Sequence, residues 1–281
     1  MSSSKFAALA AYSACDIADV LLRLEVPGAG YLPDITPIPN PQSSASPLMK
    51  TIAPASTILF TQTSTSSFPS PKSSFSAGSI FASTFSLPNP NIPKGMHWAD
   101  MTLPGSIAVL SQPDGQSCAA LGGVMATRMK VKGVKAVVVS GKVRDLGKLR
   151  EIVRGEAAEG ESVPDPWRQG QPVSGSLQAS EHRRRRDGMP IWSRGTSVVD
   201  VRGEARPWAV NVMVRVGQTE VCPGDIVMLD PEERGAVCVP AKLVDKVLEM
   251  LPRLVEGDGK VLQHVESGGT VSDAFKMYRG K

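Results

Sequence analysis

Apolar positions along the chain fall into helical, alternating and continuous runs, with two long stretches that show no period. In residues 4–24, Ala14, Ile17, Ala18, Leu21 and Leu22 recur at helical spacing. This predicts one amphipathic helix, ended by Pro27 and Gly28. TIAPASTILF (51–60) has the β-branched content of a strand, and GSIAVLSQ (105–112) reads as a buried strand. CAALGGVMATRMKVKG (118–133) predicts a helix with a glycine turn near its start and Gly133 as its C-cap. VKAVVVSG (134–141) is a continuous apolar run of the kind buried on both faces, followed by a short helix over 146–153. MPIWSRGTS, WAVNVMVRV, TEVCPGDIVMLD and GAVCVP then predict a compact β layer of short strands. A helix over 243–254, kinked or ended by Pro252, and a last short helix capped by Thr270 and Asp273 complete the chain.

The aperiodic stretches are 61–91, rich in Ser, Thr and Pro, and 154–188, which ends in the run Arg183 to Arg186. Both read as disordered insertions in a single domain spanning 1–281. They interrupt otherwise ordered sequence, as an unremoved intron or a wrong gene model would; a spliced message retaining both would contradict that origin. The second follows the 146–153 helix and is placed to lie near whatever site that helix serves.

Composition narrows the classes. The net charge of +4 owes much to the arginine run, so no nucleic-acid surface is expected. Cys15, Cys118, Cys222 and Cys238 form no CxxC pair, and a reducing, cytoplasmic compartment is the natural reading. FAALAAYSAC after Lys5 faintly resembles a signal peptide, but Asp16, Asp19 and Arg23 fit an amphipathic helix better. No stretch is long and apolar enough to span a membrane.

Specific chemistry is concentrated in one strand–helix unit. Gly122 and Gly123 stand at a helix start, where backbone can approach a ligand and free N–H groups attract anions. Arg144, after the apolar strand, offers a planar fork for a carboxylate, and adjacent Asp145 suits a hard cation such as Mg²⁺. Together they suit an α-keto acid whose keto oxygen lies on a metal. From spacing alone the plainer readings carry more weight. Asp145 can be a helix N-cap, Arg144 an ion-pair partner, and the glycine pair a packing turn.

LGGVMATRMKVKGVKAVVVSGKVRDL resembles the signature of the RraA-like family: a Gly, twenty residues, then Arg-Asp, met by Gly123 and Arg144-Asp145. YSACDIADVLLRL, TIAPASTILF, IPKGMHWAD, WSRGTSVVD, RPWAVNV and PGDIVMLD extend the likeness over the chain apart from the two aperiodic stretches. The resemblance implies an α/β fold, a three-layer swivelling β/β/α domain, assembled as a homotrimer or dimer of trimers. It implies class II aldolases that cleave 4-hydroxy-4-methyl-2-oxoglutarate-type oxo acids to pyruvate, with oxaloacetate decarboxylase activity, using Mg²⁺ or Mn²⁺. On that reading Gly122, Gly123, Val124, Met125 and Arg144 bind the oxo acid. Arg144 and Asp145 are the catalytic pair, and Asp145 is the metal ligand.

Two departures stand out. Family aldolases carry Glu or Asp three residues after the metal aspartate, where this chain has Lys148; the usual Asp-Gly before the arginine is Ser140-Gly141. A cation near a metal opposes its binding. The alternative implied is a non-catalytic binding protein on the same fold, as in the family's ribonuclease E inhibitor. An older label for the family, menaquinone methyltransferase, finds no methyl-donor loop in this sequence.

Overall fold

The computed structural model describes residues 3–38, 50–63, 87–155 and 188–279. Most of both aperiodic stretches, the arginine run included, lies outside the described residues.

Eleven strands and six long helices are described. The strands are β1 (Thr36–Pro37), β2 (Thr51–Gln62), β3 (Ile107–Ser111), β4 (Ala119–Leu121), β5 (Ala136–Val143), β6 (Ile191–Thr196), β7 (Ala205–Val210), β8 (Val214–Val216), β9 (Thr219–Val221), β10 (Ile226–Asp230) and β11 (Gly235–Val239). The helices are α1 (Ser3–Ala10), α2 (Ala14–Arg23), α3 (Gly123–Lys132), α4 (Leu146–Arg154), α5 (Val244–Glu266) and α6 (Val271–Tyr278). A mixed nine-stranded sheet runs β1-β6-β5-β3-β2-β10-β11, with β4 beside β5 and β7 beside β2; β8 and β9 form a separate ribbon. β5 is parallel to β3, β4 and β6, so β3, β4, α3, β5, α4 and β6 together build one α/β unit. The site residues lie at its strand C-termini, where such units gather ligands.

Three buried clusters hold the layers together. Leu110, Val137, Val139 and Ile191 pack one face of the parallel strands against Ala126, Met129, Leu149 and Ile152 of α3 and α4. On the other face, Val109, Val138 and Trp192 meet Val216, Val221, Val227 and Cys238 of the second β layer. These are the β/β/α layers. Beyond them, Ile226, Met228, Val237 and Val239 are covered by Ile17, Leu21, Val247, Leu251 and Leu254 of α2 and α5. Among the described residues no helix is long and apolar enough to cross a membrane.

Several expected boundaries move. The single helix expected over 4–24 is two, because Ser13 and Asp16 form a reciprocal capping box that starts α2. The bond from Ala14 N–H to the buried Asp230 carboxylate fixes that start on the second β layer. Ala14, Ile17 and Leu21 of the expected stripe are buried, but Leu22 is exposed and Val20 is buried instead. Ala119–Leu121, assigned to the helix by pattern, is a strand beside β5. The C-terminal helix continues through Pro252 to Glu266. Leu254 and Val261 beyond the proline are buried. At about 1.5–3 kcal/mol each, they offset the ~3 kcal/mol that an interior proline costs. At α6, Thr270 Oγ1 accepts from Asp273 N–H, but its hydroxyl donates to the Asp273 carboxylate at 2.7 Å, so the reciprocal arm of a capping box is not made.

The edges of the aperiodic stretches are ordered. β2 runs on to Gln62, and Asn91 exchanges two hydrogen bonds with Val210 of β7. The chain leaves at Gly155 and re-enters at Gly188, and Met189 N–H donates to Ile152 O at 3.0 Å. Both attachment points are at the far end of α4 from Asp145. Nine helical residues separate the two ends by roughly 14 Å. The attachment points of the second stretch are therefore not beside Arg144.

Candidate functional site

The site is built where β4 and β5 each turn into a helix. Gly122 is the N-cap of α3, and the N–H groups of its first turn have no acceptor within the helix. Arg144 N–H donates to Leu121 O at 2.9 Å, which ties the end of β5 to the start of α3. Asp145 then takes a left-handed backbone, φ 60° and ψ 45°, a conformation Asp tolerates better than most residues. It stands at the N-cap position of α4 but does not cap that helix. Its Oδ2 instead accepts from Gly123 N–H of α3 at 2.9 Å.

The glycine pair leaves room for close approach. A Cβ on Gly122 would lie 2.7 Å from Asp145 Oδ2 and 3.3 Å from Arg144 Nε. One on Gly123 would lie 2.9 Å from Lys148 Cγ. The other two residues of the expected substrate loop diverge. Val124 is 74% exposed, whereas Met125 is partly buried and packs against the core cluster beneath α3.

Arg144 has a partner that spacing did not reveal. Its Nη2 lies 2.7 Å from Asp200 Oδ2, while its Nε is 4.0 Å from Asp145 Oδ2. Asp200 Oδ1 accepts from both the backbone N–H and the Nε of Arg202, each at 2.9 Å. These bonds, and next the Arg144 charge, hold the Asp200 carboxyl below its usual range. The Arg144 and Asp200 side chains are each about a third exposed, 33% and 31%. Water therefore screens the pair, and four of the five guanidinium N–H donors are not needed for it. A carboxylate could be received without first breaking a buried ion pair.

Behind the site, the buried Glu204 carboxylate accepts from Ser117 and Cys118 N–H and fixes the entry to β4. Burial, then the Glu204 charge, pushes the Cys118 thiol up to about 11, so it is protonated and unsuited to nucleophilic work at neutral pH. Ser140, where family aldolases have Asp, is buried in β5. Gly141 lies against Gln112, whose Oε1 accepts from Lys142 N–H at 3.1 Å.

Asp145 is about half exposed and suits a hard cation that keeps most of its waters and takes one or two protein carboxylates. Asp200 is committed to two arginines. Lys148 is turned along α4 to Glu151, with Nζ 2.8 Å from Oε2, so its charge is partly answered there. Among the described residues no group of three or more His, Cys, Asp or Glu side chains could hold a metal. The described residues thus offer one half-exposed carboxylate, Asp145, and no full protein shell for a metal.

The sequence model of the RraA-like family (Aldolase/RraA) matches residues 14–174, more than half of the chain. The chain belongs to the RraA-like family. Solved structures share the fold. An uncharacterized protein from Pseudomonas syringae pv. tomato is 17% identical, with a TM-score of 0.62 over 99% of this chain and 95% of that one. RraAS2 of Streptomyces coelicolor, described as an unusual member of the RNase ES inhibitor RraA protein family, is 20% identical, with a TM-score of 0.56 over 88% and 91%. The RraA-like signature thus falls on β4, α3, β5 and the start of α4, the elements that assemble Gly122, Gly123, Arg144 and Asp145.

Proposed function

We propose that this RraA-like chain is a divalent-metal-dependent lyase. It would cleave 4-hydroxy-4-methyl-2-oxoglutarate-type oxo acids to pyruvate and decarboxylate oxaloacetate. One observation carries the reading: Arg144, Asp145 and the N-terminus of α3 converge at the strand ends, with Asp145 Oδ2 2.9 Å from Gly123 N. Arg144 grips the substrate carboxylate, and the first-turn N–H groups of α3 add a preorganised positive end. Asp200 holds the guanidinium in line through its contact with Nη2. Asp145 would hold Mg²⁺ or Mn²⁺, which supplies Lewis acidity for the charge that develops as the C–C bond breaks. Removing Arg144 removes both binding and orientation. Arg144→Ala should therefore lower pyruvate release from either substrate by a hundredfold or more. Release at the unmodified rate would rule the mechanism out.

The same reading includes self-association as a trimer or dimer of trimers. Val124, at 74% exposure, and Val198, at 93%, flank the site and support it.

A second reading is a non-catalytic binding protein. It is favoured by Lys148 standing where family aldolases place a carboxylate, which leaves Asp145 as the single metal ligand. Absence of metal-dependent turnover, with the fold intact, would select it.

A further inference from the structure

We propose that the helical layer carries a binding site for a small organic dianion, either a phosphate monoester or a short dicarboxylate, remote from Arg144. A cavity of about 400 Å³ opens where the end of α2 meets α5 and α6, two β layers away from α3 and α4. That volume suits a small molecule. Its lining is mostly polar; Leu254 lies beneath it, buried in the third core cluster, with Met250 packed against that cluster. Three guanidiniums line it, those of Arg23, Arg253 and Arg279, against one carboxylate, Asp258.

The charges are not balanced within the cavity. Arg279 is fixed by Asp258, with Nε 2.8 Å from Oδ1, and its guanidinium lies 4.7 Å from the centre of the Phe275 ring. Among the described residues Arg23 and Arg253 have no ion pair or hydrogen bond. Within the lining three cations face one anion, and Glu256 on the next turn of α5 partly answers Arg253, so the hollow keeps a net positive charge centred on Arg23. These side chains are exposed, so water screens their repulsion, but the surplus charge in a concave setting attracts an anion. The helix dipole alone accounts for Arg23, in the last turn of α2; it does not account for Arg253, inside α5. Arg forks hold phosphate or carboxylate oxygens in pairs, which matches a small doubly charged ligand. Tyr278, also on the wall, adds a phenolic donor.

The test is isothermal titration of the full chain at low salt with phenyl phosphate and, separately, succinate; the probe that binds tells a phosphate ester from a dicarboxylate. One-to-one binding of either is expected. The double variant Arg23→Ala/Arg253→Ala should weaken it at least tenfold with an unchanged far-ultraviolet circular dichroism spectrum, since both residues are exposed and Ala favours helix. Arg144→Ala should leave it unchanged, which separates this cavity from the oxo-acid site. The proposal is overturned if neither probe binds, if the double variant binds as before, or if Arg144→Ala abolishes binding.

Discussion

Asp145 Oδ2 and Gly123 N are 2.9 Å apart, and that contact joins the metal-side carboxylate to the anion-binding end of α3. Gly122 makes the contact possible, because any side chain there would meet the same oxygen at 2.7 Å. Its φ of −126° is open to all residues, so space rather than backbone strain is the constraint. Gly122→Ala should therefore displace the half-exposed Asp145 while costing no more than about 2 kcal/mol of stability. Pyruvate release should fall tenfold or more, since a misplacement near 1 Å can cost a hundredfold. Unchanged turnover in a folded variant would show that Asp145 need not sit against α3. The glycines, Arg144 and Asp145 were legible in the sequence because they lie within one strand–helix unit. Asp200 was not: it reaches Arg144 from the loop after β6, beyond the second aperiodic stretch, and no spacing connects the two.

At the scale of elements, continuous apolar runs were the most legible. β5 reads as buried on both faces and is, because α3 and α4 cover one face and the second β layer the other. Local capping decided what periodicity missed. The 4–24 run keeps its helical rhythm across residues 11–13, yet Ser13 restarts the helix with its hydroxyl accepting from Asp16 N–H at 3.1 Å. Ser13→Ala should lower stability by about 1 kcal/mol, measured by urea denaturation, through loss of that cap. A midpoint equal to that of the unmodified chain would mean that Asp230, which accepts from Ala14 N–H, fixes the start of α2 unaided. Tertiary packing overrode local signals elsewhere. β4 is a strand because it pairs with β5, and α5 survives Pro252 because Leu254 and Val261 are buried beyond it.

For the whole molecule, the family likeness predicted the β/β/α layers, and the helical cover on β10 and β11 is built from the chain's two ends. That cover occupies one outer side and leaves the Arg144 end open, with Val124 and Val198 exposed beside it. Sedimentation velocity at micromolar concentration should give a trimer or hexamer, and a monomer throughout would contradict the self-association proposed above. The central claim is that Arg144 and Asp145 support metal-dependent cleavage. The most direct test is a coupled assay for pyruvate from 4-hydroxy-4-methyl-2-oxoglutarate and from oxaloacetate, with Mg²⁺ and with chelator, using Arg144→Ala as the blank. The account predicts release above that blank with Mg²⁺ and its loss on chelation. Release that is equal with and without the metal, or equal to the blank, would contradict it.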